Sequence, residues 1–492
     1  MSAILSHAIY ILVCLGIALS VPGGVISANG ALILTLGAIG AWRYLWALTN
    51  FVRAHIYLRI AYPKRKRLAQ RQYAEQADRA HAYFLVTSFK VDVETSMRVY
   101  RSIFKAAAQS EGGASVVASV VEIADERLIR AAYGKIAGHS SVKLIIDRIP
   151  GTGKRDALAA ALNIIADEMP RSTDIVLFVD GDTIVPIDIV AQSAPFFSDR
   201  RLGALTTDEA SETTGSQLFR DWFELRFNQR QMMMCSMALG RRVLTLTGRM
   251  SVIRADLATD RSFIAGVGRD FMDHWRLGRV NFLTGDDKST WYWLLSRGYQ
   301  MAYLPDVQSV SMETQPKPGF SDSATTLMIR WFGNMLRTNG RALKQSPLKV
   351  GCFTWWSILD QRVSMWTTLA GPLAVVLTAL LIDPFILPTY LAWVMATRYL
   401  TCVLLATFRG PFPITYPFLL YFGQIIGAAI KSYVSFRLDR QKWTRQATSI
   451  GSGVGLSGRI TALSSTYMHI LALGWLLVAV LLLSRSALNP FL

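Results

Sequence analysis

The chain has 492 residues, 51% of them hydrophobic, and 52 Lys and Arg stand against 34 Asp and Glu for a net charge of +18. That length admits two or three domains, and the apolar residues gather in long runs near both ends, which excludes an ordinary soluble enzyme. Basic cytoplasmic loops account for the charge of a membrane protein, so nucleic acid is not required; an anionic lipid, nucleotide or acidic polymer fits equally. Cys14, Cys235, Cys352 and Cys402 form no paired spacing, which argues against disulfides and zinc, and the six histidines include no HExxH.

In chain order, residues 4–22 and 31–52 read as two transmembrane helices. A signal peptide is the competing reading for the first, but it lacks a basic leader and a second apolar segment follows. Arg53 to Arg79 contains Pro63-Lys64-Arg65-Lys66-Arg67, and a basic run beside a membrane segment places it and the N-terminus in the cytoplasm. Residues 82–322 form the soluble domain. Apolar strands at Ala82–Phe89, Val116–Ile123, Val142–Ile146 and Ile175–Val179 alternate with helical patterns at Met97–Ser110, Asp125–Ala137 and Arg155–Glu168. That alternation predicts a parallel sheet with crossover helices, a Rossmann-like α/β domain. Trp222–Arg241, Met-rich with flanking arginines, reads either as a core helix or as one lying on a bilayer surface, and 323–350 is similarly amphipathic.

Apolar runs at 353–382, 387–407 and 464–484 read as three further spans, five in all. The segment 412–433 is flanked or broken by Pro411, Pro413, Pro417 and Gly423 and carries Gln424 and Lys431. It reads as interfacial or re-entrant, which keeps the basic loop 437–460 cytosolic, and 485–492 is a short tail. Gly453-Val-Gly455-Leu-Ser-Gly458 matches GxGxxG without a preceding strand and reads as a loop.

The candidate chemistry centres on Asp180-Gly181-Asp182, two carboxylates ending a buried strand. Ligands of open α/β sheets bind beyond the carboxyl ends of strands, and two hard oxygens there suit Mg²⁺ or Mn²⁺ holding a diphosphate. The bland alternative is a simple turn. Ser88 and Glu94 follow the first strand, Asp125 the second, and Lys154 and Arg155 supply cations before a helix. Thr247-Gly248-Arg249 comes later, followed by Thr284-Gly285-Asp286-Asp287 and Arg330-Trp331. Asp286-Asp287 also has the form of a plain helix N-terminus.

In this order the motifs resemble those of the processive family 2 glycosyltransferases, from about Phe84 to Arg445. The resemblance implies a cytosolic GT-A domain between N- and C-terminal membrane helices, with amphipathic interface helices. It implies that Ser88, Glu94 and Asp125 hold the nucleoside, that Lys154, Arg155 and Arg330 serve the diphosphate, and that Asp180 supports the nucleotide. Asp182 would bind Mg²⁺ or Mn²⁺ and Asp287 would be the general base. Thr247, Gly248, Asp286, Trp331, Trp443 and Arg445 would line the acceptor and product side. The family's Gln-x-x-Arg-Trp reads Leu327-Met-Ile-Arg330-Trp331 here, and Lys442-Trp443-Thr444-Arg445 is similar to its gating segment without the Gly. Within the family, the chain is most similar to the mannuronan (alginate) synthases.

That branch implies a GDP-mannuronate donor, a β-1,4-linked polymannuronate product and a multi-pass place in the bacterial inner membrane. With no regulatory domain read in the chain, a separate PilZ-containing, cyclic-di-GMP-binding membrane subunit is the implied partner. A synthase using a UDP-sugar, a nonprocessive lipid-linked sugar transferase and a nucleotide-binding scaffold are the competing readings. Arg362 and Arg398, within apolar runs, are candidates to face the carboxylates of an anionic product.

Overall fold

The computed structural model describes residues 3–135, 141–281, 283–442, 449–450 and 456–488. Its strands include β1 (Ala82–Thr87), β2 (Ala114–Val120), β3 (Val142–Arg148), β4 (Ile175–Asp180), β5 (Thr183–Ile184), β6 (Leu202–Thr214), β7 (Met250–Arg254), β8 (Phe271–His274), β9 (Gly278–Asn281) and β10 (Gln300–Thr314). Eight of them form one sheet in the order β3-β2-β1-β4-β7-β6-β10-β5, and β8 and β9 form a separate hairpin. Strands β1 to β4 are parallel, β7 is antiparallel to both its neighbours, and helices Val93–Ala108, Ile123–Tyr133 and Lys154–Asp167 make the crossovers. The continuous apolar runs arise because these strands are covered on both faces: Ala82 to Val86 and Ile175 to Val179 are all buried.

The chain winds from β1 outward to β3 and then returns to the other side of β1 as β4. The carboxyl ends of β1 and β4 therefore flank the crevice where strand order reverses, the usual ligand position in such sheets. Thr87 pairs with Asp180 there, and the Gly181 N–H donates to the Thr87 carbonyl at 3.1 Å. Only glycine fits this approach, since a Cβ on Gly181 would lie 2.5 Å from Ser88 Oγ.

The expected strand Val116–Ile123 in fact ends at Val120, and Ile123 begins a helix with 51% of its surface exposed. An apolar residue at a helix start mimics a longer strand, so Asp125 sits in the first turn of that helix rather than at a strand end.

The N-terminal helix, Ala3–Leu19, has 17 residues and is shorter than expected because the chain turns at Ser20 to Gly24. The second, Gly30–Ile56, runs past the expected boundary, continues through one π-turn (Tyr57–Ala61) and becomes helix Tyr62–Ala74. The basic run is thus docked on the domain: Arg53 and Arg65 donate to the carbonyls of Ser236 and Ala238, both at 3.0 Å, and Lys66 pairs with Asp306 at 2.6 Å.

Among the described residues, four helices are long and apolar enough to cross a membrane: Cys352–Leu381, Ile386–Arg409, Thr415–Ser435 and Gly458–Leu482. The third covers the segment expected to be interrupted. Pro411 and Pro413 precede it and Pro417 falls in its first turn, where a missing N–H costs nothing, so the helix is unbroken. Its two ends are tied to helices Gln217–Ala238 and Phe320–Ala342. Thr415 donates to Asp221 (2.7 Å), and beyond Ser435 the carbonyl of Leu438 accepts from Arg337 (3.1 Å).

Helix Gln217–Ala238 is mostly buried, its Phe219, Trp222, Phe223 and Phe227 packing with Met328, Leu336, Tyr416 and Leu420 in a second core that joins the α/β domain to the apolar helices. Of the two readings of this stretch, the core helix is the one found. Trp443, Thr444, Arg445, Gly453 and Gly455 lie outside the described residues.

Candidate active site

Lys154 opens the crossover helix into β4, preceded by Gly153 at φ +143°, a conformation that favours glycine and lets the helix begin against the strand ends. Its ammonium bridges two carboxylates from distant parts of the chain, Asp180 at 2.6 Å and Asp286 at 3.0 Å. Gly248 forms the adjacent wall, where a Cβ would lie 3.6 Å from Asp180 Oδ2, 3.7 Å from Lys154 Nζ and 3.9 Å from Asp287 Cβ. Lys154, Asp180, Thr247, Gly248, Asp286 and Asp287 line one small cavity together. Residues more than a hundred positions apart thus converge at the sheet's switch point.

Asp286 and Asp287 begin the helix Asp286–Ser296, and their roles separate by geometry. Asp286 is held by Lys154, whereas Asp287 has no ion pair among the described residues and is met by the Lys288 backbone N–H and, at 3.5 Å, by Thr245 Oγ1. Ser88 is buried and bonds Tyr100 OH at 3.0 Å; Asp125 is half-buried and lies in the electrostatic reach of the same tyrosine. Glu94 is exposed in the first turn of the helix after β1. These three follow β1 and β2, on that side of the crevice, and do not line the cavity.

Other candidates stand differently. Arg155 does not line the cavity. It is buried and donates to the carbonyls of Leu283 (2.5 Å) and Val267 (2.6 Å) and to Ser289 Oγ (2.8 Å), clamping the segment that carries Asp286 and Asp287. Thr247 is buried in contacts with Thr206 and the Met250 carbonyl. Leu327 is buried in the second core, so packing replaces the amide of the family pattern. Trp331 stacks on Trp222 (centroids 5.8 Å apart, 18° between planes), and Arg330 is half-buried on the same helix.

Residues 80–334 match the family model described as glycosyltransferase like family 2. The chain belongs to the family 2 glycosyltransferases. Over 476 residues, 96% of both chains, it is 41% identical to "Glycosyltransferase alg8" of Pseudomonas syringae pv. tomato. It is 42% identical over 85% of both chains to the protein of that name from Azotobacter vinelandii. A mannosyltransferase from Pyrobaculum calidifontis, in complex with GDP-Man and Mn2+, aligns over 78% of this chain and 98% of its own at 16% identity and a TM-score of 0.41, too distant for its ligands to be carried over.

The electrostatics of this glycosyltransferase's site follow from burial set against charge. Burial pushes the Asp180 carboxyl up to about 7, with Lys154 opposing the rise and Asp182 and Asp286 adding to it. Burial also raises Asp287, and neighbouring Asp286 raises it further. Asp286 is buried too, yet Lys154 and Arg155 outweigh burial and hold it below the ordinary carboxylate value. Burial disfavours the Lys154 cation, but Asp180 and Asp286 keep it protonated far above neutrality.

A base at Asp287 would have to be deprotonated to accept a proton, and burial and Asp286 raise its pKa. The acid limb of the pH–rate profile is expected above the ordinary Asp value of about 3.9. Asp286→Asn removes the neighbouring charge and moves that limb to lower pH; steady-state rates between pH 4 and 9 measure it.

Two carboxylates one residue apart at a strand end fit an ion that takes its remaining ligands from water and diphosphate, as Mg²⁺ does. Among the described residues no three His, Cys, Asp or Glu side chains converge into a cage.

Sequence reading missed the supports of the Thr284–Asp287 segment. Gln441 Oε1 accepts from the Thr284 N–H (2.9 Å), and Asn334 Oδ1 accepts from Thr284 Oγ1 (2.8 Å) and Arg337 (2.6 Å). The residues just before the gating-like loop therefore touch the segment that carries Asp287. Asn334 and Arg337 carried one signal, polar character inside an amphipathic stretch, and Gln441 carried none. Gln441→Ala leaves the buried Thr284 N–H unpaired, an expected loss of about 1–3 kcal/mol with turnover down roughly tenfold. Thermal unfolding and single-turnover rates check it, and Gln441→Glu, which keeps an acceptor, retains more of both.

Proposed function

We propose that this glycosyltransferase is a processive, inverting synthase that joins mannuronate from GDP-mannuronate into β-1,4-linked polymannuronate, the alginate precursor, and passes it across a bacterial inner membrane. The observation that carries the reading is identity of 41–42% along nearly the whole chain with proteins named "Glycosyltransferase alg8". The convergence of Asp180, Asp286, Asp287 and Lys154 on one cavity supports it.

Asp287 accepts the proton of the acceptor hydroxyl as that oxygen attacks the anomeric carbon from the face opposite the leaving group, and the bond to the diphosphate oxygen breaks. Lys154 sits where it can meet the leaving diphosphate while holding Asp180 and Asp286 apart. Asp182, with Asp180 beside it, would hold Mg²⁺ or Mn²⁺, whose charge stabilises the departing diphosphate. Ser88, Glu94 and Asp125 bind the nucleoside. Arg330 serves the diphosphate, and Trp331, Trp443 and Arg445 guide acceptor and product.

The catalytic domain and N-terminus lie in the cytoplasm. Helix Thr415–Ser435, with its two ends tied to helices Gln217–Ala238 and Phe320–Ala342, lies at the membrane interface rather than crossing it. A separate PilZ-domain subunit that binds cyclic-di-GMP regulates the complex.

Membranes containing the protein are incubated with GDP-mannuronate, GDP-mannose, UDP-glucose or UDP-glucuronate. A long uronate polymer from GDP-mannuronate alone is the expected product. A polymer from a UDP-sugar, or a single-sugar lipid, overturns the reading.

A further inference from the structure

The β8–β9 hairpin leads directly into the Thr284–Asp287 segment and is firmly seated. Met272 and Val280 are buried in the second core, and Leu277 packs against it. At the hairpin's base Asp270 accepts from Arg341 (2.7 Å) and from Ser289 Oγ (2.5 Å). The tip is different: Trp275 is 82% exposed, its ring stacked only loosely on that of neighbouring His274 (centroids 5.9 Å apart, 25° between planes). A bare indole on a rigid support is the informative kind of exposed residue, because its large apolar body gains from any cover.

The next residue fixes where that tip lies. Arg276 donates to Ser464 Oγ (2.9 Å) and Ser465 Oγ (2.8 Å) of helix Leu456–Leu488, and to the Phe436 carbonyl (2.6 Å). The two serines close the second turn of the apolar span Gly458–Leu482, roughly 10 Å along its axis. In a bilayer that is about where headgroups give way to hydrocarbon, and Ile460, Leu463 and Tyr467 are exposed on the same turns. A second element reaches this surface. Leu348 (86% exposed) and exposed Lys349 lie just before Cys352–Leu381 begins its own apolar run. Cations are in surplus here: the fields of Arg276, Lys344 and Arg362 reach His274, against the acids Asp439 and Asp273, and Asp273 is paired with Arg279 at 2.8 Å.

An aromatic tip with basic neighbours, seated on a spanning helix near its first turns, matches the headgroup layer. Indoles concentrate there, and lysine and arginine meet anionic lipid. We propose that the β8–β9 hairpin is a lipid anchor: Trp275 enters the headgroup layer of the anionic membrane surface that faces the α/β domain, and the hairpin thereby fixes the height of the Thr284–Asp287 segment over the bilayer. Continuity decides for lipid over a protein partner, since the helix that carries the tip exposes apolar side chains at the same level. The link to the segment is short: the Leu283 N–H donates to the Asp270 carbonyl at the hairpin's base (3.2 Å), and Ser289 in the helix of Asp286 and Asp287 donates to the Asp270 carboxylate.

The test uses the full-length protein in nanodiscs of phosphatidylcholine alone or mixed with phosphatidylglycerol. Cys352→Ser removes the exposed thiol, and a nitroxide is attached at Trp275→Cys, at Ile460→Cys within the span, or at Met169→Cys, exposed on the α/β domain. The signal of the Cys352→Ser parent is subtracted from each. In mixed discs oxygen is expected to relax the label at 275 about as well as the one at 460, while a water-soluble nickel chelate reaches it severalfold less than the one at 169. The label at 275 sits deeper with phosphatidylglycerol than without it, and equal depth overturns the anionic preference. Free access of the chelate at 275 overturns the anchor, and so does a label that neither reagent reaches, which means that a second copy or another protein covers the tip. Trp275→Glu leaves the unfolding midpoint unchanged, because the side chain is exposed, and lowers the initial rate of sugar transfer severalfold in mixed discs. An unchanged rate overturns the link to the Thr284–Asp287 segment.

Discussion

Asp287→Asn is expected to lower polymer formation by about 10²–10⁴-fold, the usual worth of a positioned base, while donor binding persists. The same substitution should leave the protein as stable or more stable at neutral pH. Burial and Asp286 raise the Asp287 pKa above its unfolded value, so ionising it works against the folded state at every pH above the unfolded value of about 3.9. An uncharged Asn removes that penalty, and the gain disappears as pH falls below about 4, where both versions are neutral.

Asp286→Asn has the opposite sign. Its pKa is depressed by Lys154 and Arg155, so it contributes stability above the unfolded value that is lost as pH falls, and removing it destabilises the protein at pH 7. Thermal unfolding of the two single variants at pH 4 and pH 7, beside product assays, separates a base from a structural helix start. Equal destabilisation by both, or an active Asp287→Asn, would remove Asp287 from the chemistry.

Much of this was legible because physics writes it locally. A fully covered parallel strand must be an apolar run, so Ile175–Asp180 announced both itself and the carboxylates at its end. The meeting of Asp180 with Asp286 was legible only through the order of motifs, since nothing local to either residue says which cation stands between them.

The role of Arg155 was not legible. A basic residue at a helix start reads as an anion binder, and only the packing shows its donors engaged by Leu283, Val267 and Ser289. Ile123 misled for a simpler reason: it is apolar and exposed, and surface apolar residues carry no signal of their own. The prolines around Thr415 misled because sequence cannot tell a helix's first turn from its middle. Gln441 was invisible because its partner, Thr284, lies 157 residues away.

Lys154→Met is the second substitution with a large expected effect, and it tests the convergence itself. Among the described residues, the ammonium is the one group within ion-pair distance of both Asp180 and Asp286, and about a quarter of the Asp180 side chain remains exposed. Without it, two carboxylates face each other in a poorly hydrated crevice. Breaking a buried pair costs 3–5 kcal/mol, and the partial exposure reduces this to roughly 1–3 kcal/mol.

The sign with pH is fixed by the carboxylates. Both ionise more reluctantly in the folded variant than in the unfolded chain, so the stability deficit is small near pH 4 and grows toward pH 7. Activity falls more than stability if, as proposed, this cation meets the leaving diphosphate, because that charge is lost together with the spacing of the acids. Lys154→Arg keeps the charge but spreads it over a planar fork, so it restores stability better than turnover. Unfolding midpoints and initial rates for both variants across pH 4 to 8 read out the two effects separately. A Lys154→Met protein whose deficit is flat with pH would show that Asp180 and Asp286 do not share this cation.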